Sequence, residues 1–344
     1  MKDLKRNHVT INDVAKSAGV SPSTVSRVIS NSSKISVATK EKVVRHMKEL
    51  GYYPNAIARS LAKNKTGNIG IIMPSRSEDI FLNPFFPEAL RGITRAASKN
   101  GYDLLLSTNL GEEDELINIK SLINTSKVDG IVLMSSKIKD ESIDYLHSID
   151  FPFSLIGTPS ISDEGITYVD NDNKKATYEL TMHLTSMGRT NIAMIAGDPD
   201  LMVTRTRIEG YKKAMEEKNL KFDKELLFIG SFDEETGHHY GRELLKLSPR
   251  PDAVIATDDL IAFGAMQVLE NYNINIPLDI AIASFNNSFL SRFSHTPFTS
   301  VDINAFNLGS TSITLLVNLL EKGRVSQRKI IPYEIHVRNS TKIF

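Results

Sequence analysis

Apolar residues near the N-terminus recur every three or four positions in the stretch VTINDVAKSAGVSPSTVSRVIS, which predicts two short amphipathic helices. Thr10, with Asp13 three residues later, forms a capping box that begins the first helix. Gly19 suits the left-handed position that ends it. Ser21 then caps the second helix, and Pro22 takes its first position, where a missing N–H costs nothing. The stretch therefore predicts two helices joined by a tight turn.

Val20, just before the cap, and Val25, within the second helix, have the spacing of a hydrophobic staple. Such a staple fixes the angle at which the second helix begins.

The outer face of the second helix carries no carboxylate. Its polar positions, again at helical spacing, are Ser23, Ser26, Arg27 and Ser30. An arginine there can form a bidentate contact with guanine, and the serines can reach bases or phosphates. Such a helix pair is typical of a DNA-binding helix-turn-helix. The alternative is an ordinary helical hairpin with a polar outer face.

Two further helical patterns follow. Ser36 caps a third helix that Gly51 ends, and Asn55 can begin a fourth in the segment YYPNAIARSLAKNKTG. About eight residues are too few for a stable helix in water. We therefore expect the fourth helix to form only against DNA, a second copy of the chain, or both. The residues that follow it up to Gly67 indicate a linker.

From Asn68 onward, short apolar runs alternate with helical patterns. Eight runs are strand candidates: NIGIIMP, DLLLSTN, GIVLMS, FSLIG, NIAMIAG, ELLFIG, AVIATDD and DIAIASF. Near-continuous apolar strands separated by helices are typical of parallel sheets covered on both faces. Eight such units are too many for one ordinary doubly wound sheet. We therefore expect two similar α/β subdomains with a cleft between them.

Basic residues are concentrated in the N-terminal part of the chain. Residues 1–65 contain 13 Lys and Arg against four Asp and Glu, a net charge of +9, which leaves −9 on the rest of the neutral chain. A small basic region on a larger acidic protein favours a polyanion, such as DNA, as the partner of that region. A merely solvated basic surface is the alternative.

Composition excludes several other classes. The chain has no cysteine, hence no disulfide or thiolate metal site. No run reaches the ~18 to 20 apolar residues of a membrane span, so no membrane partner is expected. No apolar segment follows the basic residues at the N-terminus, so we expect no signal peptide and a cytoplasmic protein.

Motifs of catalysis are missing as well. Neither G-x-G-x-x-G nor a phosphate-binding G-x-x-x-x-G-K-[ST] follows the first strand. His238 and His239 are neighbours and point about 100° apart on a helix, so they are expected at the surface rather than on a metal. Asp258 and Asp259 begin a helix, where the macrodipole favours acidic residues. We expect no enzyme activity, no cofactor and no metal.

Together, the N-terminal stretch and the following ELGYYPNAIARSLAKNKTGNIGIIMP resemble the head and hinge of the LacI/GalR family of transcription regulators. The resemblance implies an α/β fold class: an all-α helix-turn-helix head and hinge helix, then a two-subdomain, periplasmic-binding-protein-like core of parallel sheets flanked by helices. Members bind near-palindromic operators as dimers. The second helix of each head lies in the major groove, and a hinge-helix leucine partly unstacks a base step in the minor groove.

The resemblance also implies domain bounds. They are 1–54 for the head, 55–67 for the hinge helix and linker, and 68–344 for the effector-binding and dimerisation core. The core subdomains are expected at roughly 68–167 plus 303–328, and 168–302 plus 329–344.

By position in the family motif, the wedge residue is Leu61, backed by Ala58 and Arg59. The base-reading positions of the second helix correspond to Pro22, Ser23 and Arg27, of which Pro22 has no N–H to donate. The full set of expected DNA-binding residues is Thr10, Ser21, Pro22, Ser23, Thr24, Ser26, Arg27, Asn31, Lys34, Tyr52, Asn55, Ala58, Arg59 and Leu61.

The resemblance further implies a small sugar effector in the cleft, beyond the carboxyl ends of the strands. The expected effector-binding residues are Phe85, Phe86, Arg207, Phe232, Thr257, Asp258 and Asn286. Two features depart from the family. Asn286 stands where an aspartate is usual, and an amide donates as well as accepts; the loop from Met73 to Phe86 is longer than the common version. SFNNS with NPFF is most similar to maltose-operon regulators.

These expectations combine into a homodimeric, ligand-responsive repressor of carbohydrate genes, with maltose or maltodextrins as the first candidates. Alternatives are a regulator of another sugar and a catabolite-control protein that uses a phosphocarrier corepressor. A solute-binding protein would share only the core, and the helix-turn-helix and missing signal peptide disfavour it. An α/β enzyme with a DNA-binding head is disfavoured by the absent catalytic motifs.

Overall fold

The computed structural model describes residues 9–30, 32–53, 65–74, 80–108, 115–160, 165–220, 222–323 and 325–342. The chain forms two units, residues 1–66 and 67–344, called the head and the core below. The predicted hinge helix lies outside the described residues, and so do five of the expected DNA-binding residues: Asn31, Asn55, Ala58, Arg59 and Leu61.

Three helices form the described part of the head: α1 (Ile11–Ala18), α2 (Pro22–Ile29) and α3 (Val37–Glu49). The predicted capping box is confirmed, because Thr10 and Asp13 exchange side-chain to backbone hydrogen bonds. Gly19 ends α1 with φ +60°, a conformation that only glycine adopts at little cost. Ser21 caps α2, which begins with Pro22 as predicted.

The core of the head takes one fully buried valine from each helix: Val14, Val25 and Val43. Val20, in the turn, packs against the same cluster and acts as the predicted hydrophobic staple for α2. These contacts set the angle between α1 and α2 and leave the polar face of α2 exposed.

The described part of the core contains twelve strands: β1 (Asn68–Ile72), β2 (Asp103–Ser107), β3 (Gly130–Leu133), β4 (Phe153–Ile156), β5 (Tyr168–Asp170), β6 (Ile192–Ala196), β7 (Leu227–Ile229), β8 (Ala253–Ala256), β9 (Ala281–Phe285), β10 (Thr299–Asp302), β11 (Arg328–Ile330) and β12 (Glu334–His336). Its helices are α4 (Phe85–Lys99), α5 (Glu115–Asn124), α6 (Glu141–Ser148), α7 (Asn173–Ser186), α8 (Met202–Glu217), α9 (Glu234–Lys246), α10 (Asp259–Asn271), α11 (Phe289–Phe293) and α12 (Ala305–Lys322).

The strands form two six-stranded sheets. The first has the order β11-β5-β4-β3-β1-β2 and is wholly parallel. The second has the order β12-β10-β9-β8-β6-β7 and is parallel except for β12, which runs antiparallel to β10. The central strands β3, β4, β6, β8 and β9 are buried along their whole length. The α/β fold class and the two parallel sheets are confirmed.

Helices cover both sheets in close pairs. In the first half α4 packs on α12, and α5 on α6; in the second, α7 packs on α8 and α9 on α10. The α4–α12 crossing is so tight that a Cβ on Gly92 would lie 2.0 Å from the carbonyl oxygen of Phe306, and one on Gly309 equally close to that of Ala89. At the α9–α10 crossing, a Cβ on Gly237 would come within 2.2 Å of a backbone oxygen.

The chain passes between the halves three times, after β5, after β10 and after β11. Asn171 joins these crossovers: its Nδ2 donates to the carbonyl oxygens of Ile303 (3.0 Å) and Ile331 (2.8 Å). The N–H of Ile331 in turn donates to the carbonyl of Asp170 at 2.8 Å. Asn171 is 5% exposed, so one buried amide links all three passages.

The predicted subdomain bounds differ from this arrangement at two points. The strand β5 belongs to the first sheet, so the first crossover falls three residues after the expected bound at 167. The strand β11 also lies wholly in the first sheet, beyond the expected bound at 328. Both strands have three residues, which is too short for an apolar run to show which sheet a strand joins.

We expect Asn171→Asp to lower the free energy of unfolding by about 2 to 4 kcal/mol, because a carboxylate cannot donate and would leave two buried carbonyls without these hydrogen bonds. Urea denaturation followed by circular dichroism measures the loss. The matched control is Asn307→Asp, an exposed residue in the first turn of α12, where a negative charge is tolerated. Equal stability of the two variants would contradict the role given to Asn171.

Candidate functional site

The first candidate site is the outer face of α2 in the head. Arg27 and Ser26 are exposed side by side on it. The hydroxyl of Ser23 hydrogen-bonds to that of Ser21 at 2.8 Å, and Thr24 bonds to the same hydroxyl at 2.9 Å. The first-turn hydroxyls therefore already have partners within the helix, and Arg27 is the long cationic side chain that this face offers to a polyanion.

Other expected DNA-binding residues have structural contacts in the head. The hydroxyl of Thr10 donates to Asp13 at 2.7 Å as part of the helix cap. Tyr52 is half-buried against the head core, and its N–H donates to the carbonyl of Met47. Lys34 is exposed in the turn before α3. Lys34, Arg27 and Pro22 are exposed, and so are the capping and hydroxyl residues Thr10, Ser21, Ser23 and Ser26.

The second candidate site lies in the core, where strands from both sheets end. Arg207, near the start of α8, is 4% exposed. Its Nε donates to Asn173 Oδ1 at 3.0 Å and its Nη1 donates to the carbonyl of Thr257 at 2.5 Å. The guanidinium carbon also lies 4.1 Å from the ring centroid of Phe285, a cation–π distance. Burial lowers the pKa of Arg207 to about 10, so the group stays cationic near neutral pH.

A chain of hydrogen bonds through Asn173 and Asp170 holds the side chain of Arg207 in place. Asn173 accepts from the arginine and donates through Nδ2 to Asp170 Oδ1 at 2.9 Å. Asp170 also accepts from the Thr158 hydroxyl at 2.8 Å. Burial raises the pKa of Asp170, while these donors and the arginine favour its charged form.

Asp258, the N-cap of α10, accepts three hydrogen bonds. Its Oδ1 accepts from the N–H of Leu260 at 2.7 Å. Its Oδ2 accepts from Asn286 Nδ2 at 2.7 Å and from Asn83 Nδ2 at 2.9 Å. Burial raises the pKa of Asp258 to about 7, against the opposing effects of the Asn83 amide and of Arg207.

Asp259, the next residue, has a different task. It is fully buried and accepts from the hydroxyls of Ser284 and Ser300 and from the N–H of Ser288. These contacts join the ends of β9 and β10 to the loop that carries Asn286. Asp258 and Asp259, which the sequence pattern placed at the start of a helix, are therefore both buried and hydrogen-bonded to neighbouring segments.

Asn286 and Thr257 complete this group. Asn286 has φ +98°, outside the usual range of a side-chain-bearing residue, and points its amide at Asp258. Thr257 is fully buried, and its hydroxyl accepts from the N–H of Gly197 at 3.0 Å. Through its carbonyl Thr257 supports Arg207. The structure thus brings together four expected effector residues: Arg207, Thr257, Asp258 and Asn286.

The three expected aromatics lie at the border of this group. Phe85 and Phe86 are half-buried and perpendicular to each other, with ring centroids 5.0 Å apart. The ring of Phe232 lies directly on Gly197, where a Cβ would come within 2.4 Å of the ring. Asn83 connects the aromatics to Asp258, since it accepts from the N–H of Phe85 and donates to the carbonyl of Phe232.

The two halves of the core also touch through backbone at this level. Ile138, after β3, donates to the carbonyl of Asp200 at 2.8 Å, and Met202 donates to the carbonyl of Ser136 at 3.0 Å. Together with the Asn83–Asp258 contact, these bonds hold the halves against each other across the cleft.

Sequence reasoning missed four residues of this site: Asn83, Asp170, Asn173 and Phe285. Asn83 begins the quoted NPFF, but nothing in a single sequence indicates that its amide reaches the other half. Asp170 is the last residue of the short strand β5, and Asn173 begins α7 soon after it. The polar run VDNDN at residues 169–173 was the available signal. For Phe285, the sequence pattern predicted only that it lies in a strand.

Two further features lie apart from both sites. A cavity of about 220 Å³ opens at the amino-terminal edge of the first sheet, lined by Leu146, His147, Asp150, Phe151, Pro152, Phe153, Gly165, Leu319 and Ser326. None of the expected effector residues lines it. His238 contacts Gln267 and two glutamates of its own helix.

Within the described ranges, no three His, Asp or Glu side chains are grouped to hold a metal ion. The helices that the structure describes include none with the length and apolarity to cross a membrane.

Two family models match the chain. Residues 10–55 match bacterial regulatory proteins of the lacI family, and residues 66–340 match the periplasmic binding proteins and sugar binding domain of the LacI family.

Individual relatives match over nearly the whole chain. The HTH-type transcriptional regulator MalR of Streptococcus pneumoniae is 37% identical over 332 residues, 95% of this chain and 98% of the relative. Catabolite control protein A of Priestia megaterium is 30% identical over 337 residues, 97% of this chain and 100% of the relative. A solved complex of the transcriptional regulator CelR with cellobiose is 30% identical, with a TM-score of 0.76, and the match covers 96% of this chain and 99% of that one.

These matches agree with the exposed α2 face of the head and with the two-sheet core and its buried polar cluster. Together they define a DNA-binding transcriptional regulator. The chain belongs to the LacI family. Regulators of this family bind operator DNA and sugar effectors and act as dimers; they are not enzymes.

We expect Arg207→Met to lower the free energy of unfolding of the core by about 3 to 5 kcal/mol at pH 8, because it removes the cation buried among Asp170, Asp258 and Asp259. The loss should be smaller at pH 6. Without the cation the carboxyl pKa values rise further, and a group with a raised folded-state pKa contributes less stability as pH rises. Urea denaturation at both pH values measures this, with exposed Arg205→Met on the same helix as control. A loss independent of pH would contradict the electrostatic explanation.

Proposed function

We propose that this regulator represses genes for maltose or maltodextrin use and is released from its operator when the sugar binds in the core. The observation that carries the proposal is the buried cluster of Arg207, Asp258 and Asn286, bordered by Phe85 and Phe232. Oriented hydrogen-bonding groups beside aromatic rings are the chemistry that binds a neutral sugar. The 37% identity to MalR over nearly the whole chain supports maltose among the possible sugars.

On the DNA side, a homodimer would present two heads to the half-sites of a near-palindromic operator. Arg27, with Pro22, Ser23 and Ser26, would face the major groove, while Lys34 and the helix caps contact phosphates. Leu61, with Ala58, Arg59 and Asn55, would enter the minor groove. An operator-binding regulator of this kind would act in the cytoplasm, where bacterial DNA lies.

Coupling between sugar and operator would pass through the crossovers. Sugar binding changes the angle between the halves about the passages that Asn171 joins, and the spacing of the two hinge segments changes with it. Such coupling is typically worth about 1 to 3 kcal/mol per effector, and operator binding must weaken sugar binding by the same factor.

A second candidate is a catabolite-control regulator that uses a phosphocarrier protein as corepressor. The 30% identity to catabolite control protein A over 97% of this chain favours it as the runner-up. In that case, operator affinity would rise with the phosphorylated phosphocarrier and would not fall with maltose.

We expect maltose to raise the thermal midpoint of the purified protein by several degrees at a concentration of about 100 Kd, since a ligand selective for the folded state adds about 2.7 kcal/mol. The same maltose should weaken binding to the operator measured by fluorescence anisotropy. Maltotriose, cellobiose and glucose 6-phosphate serve as comparisons. A midpoint shift with cellobiose alone would reassign the sugar, and a shift with maltose but unchanged operator affinity would contradict induction.

We expect Arg27→Ala to weaken specific operator binding by about ten- to a hundredfold, as loss of one bidentate base contact does. Binding to unrelated DNA should weaken far less. Arg45→Ala removes the same charge from an exposed position on α3 and controls for the electrostatic part. Anisotropy titrations at several salt concentrations separate the two effects. If both variants lose specific and nonspecific affinity equally, Arg27 reads no base.

A further inference from the structure

The side chain of Asn83 connects the two halves of the core. Its Oδ1 accepts from the N–H of Phe85 at 3.0 Å, which anchors the amide at the start of α4 in the first half. Its Nδ2 donates to Asp258 Oδ2 at 2.9 Å and to the carbonyl of Phe232 at 3.4 Å, both in the second half. Asn83 is 6% exposed, so these contacts are formed away from water.

The acceptor in this contact, Asp258, is close to saturated. Leu260 N–H occupies Oδ1, and two amides, Asn83 and Asn286, share Oδ2. A hydrogen bond to an ionised acceptor is about twice as strong as a neutral one. Three of the about four acceptor positions of the carboxylate are thus occupied, and Asp258 is 2% exposed, so a sugar hydroxyl has little access to it.

The same contact orients Asn286. Because one N–H of its Nδ2 donates to Asp258, the amide of Asn286 is oriented, and its Oδ1, an acceptor, and its second N–H are left for a ligand. An asparagine held in this way accepts from a hydroxyl as an aspartate would, but without a charge. The departure from the family's aspartate thus keeps an acceptor at this position and suits a neutral, polyhydroxylated ligand.

We propose that Asn83 and Asp258 form a clasp that stabilises the closed cleft, and that Asp258 influences effector binding by positioning the amides of Asn83 and Asn286 rather than by contacting the effector. Asp258 is then a positioning residue. The effector hydroxyls bind Asn286 Oδ1 and the remaining N–H groups of Arg207. This inference rests on the proposed function, because it takes the cleft as the effector site.

Closure can be measured without any sugar. The N–H groups of Ile138 and Met202 donate across the cleft, so their hydrogen exchange reports its opening. In full-length Asn83→Ala without sugar, peptides covering these two residues should exchange several-fold faster than in the wild type. Leu82→Ala, at the exposed neighbouring residue, is the matched control and should exchange as the wild type does. Unchanged exchange of strand β8 shows that the core remains folded.

Maltose binding by calorimetry gives the second measurement. Loss of a hydrogen bond to a charged acceptor reduces the closed population, so Asn83→Ala should bind maltose roughly ten- to a hundredfold more weakly, and Leu82→Ala as the wild type. Asn83→Asp places a carboxylate against Asp258. It should therefore weaken maltose binding, and more strongly at pH 8 than at pH 6.

The pH dependence distinguishes the clasp from a structural role. Burial raises the pKa of Asp258 to about 7, with Asp259 beside it and Arg207 facing it. Between pH 8 and pH 6 the wild type should lose affinity, as Asp258 gains a proton and accepts less well. Asn83→Asp should gain affinity over the same range, because one protonated carboxyl can then donate to the other.

Unchanged exchange at Ile138 and Met202 in Asn83→Ala would overturn the clasp, as would tighter maltose binding by that variant or parallel pH slopes in the wild type and Asn83→Asp. If the wild type binds no maltose, the sugar assignment fails, whereas the exchange experiment still decides whether the clasp exists.

Discussion

The buried amide of Asn171 is the contact at which the two halves of the core are joined. Three separate passages of chain join the halves, and all three meet at this one side chain. Passages that slide independently would let the halves twist as well as close. Because they are tied together at one point, we expect hinge bending to be the soft motion between the halves.

The charges in the cleft impose a second constraint. Three buried carboxylates surround one guanidinium, so the ionised site has an excess of negative charge that must be met by hydrogen-bond donors. Amides and hydroxyls supply them: Asn83, Asn173 and Asn286, together with serines near Asp259. This need explains why asparagines recur at strand ends here, since an amide can satisfy a carboxylate on one side and present its oxygen on the other.

The sequence predicted the elements that have strong local signals. The caps of Thr10 and Ser21, the staple at Val20 and the eight apolar strands all follow from spacing and residue type, and the structure confirms them. Strands β5, β10, β11 and β12 were missed, because three or four residues with few apolar positions form strands only when a neighbouring strand pairs with them.

At the candidate effector site, the sequence predicted only the residues that the family resemblance implied. Arg207, Thr257, Asp258 and Asn286 were placed in one group and are in contact. Their supporting residues were not found, since contacts between residues 83 and 258, or 171 and 331, join segments far apart in the chain that carry no shared pattern. The binding roles of all these residues remain predictions that the experiments above address.

The glycine crossings of the helix pairs have a mechanical consequence. Where α4 meets α12 at Gly92 and Gly309, and α9 meets α10 at Gly237, backbone rests on backbone with no side chain between. Side chains can change rotamer and absorb a displacement, but two backbones in contact cannot. We therefore expect each half to move as a rigid body, so that a displacement at the cleft is passed on to the far end of that half.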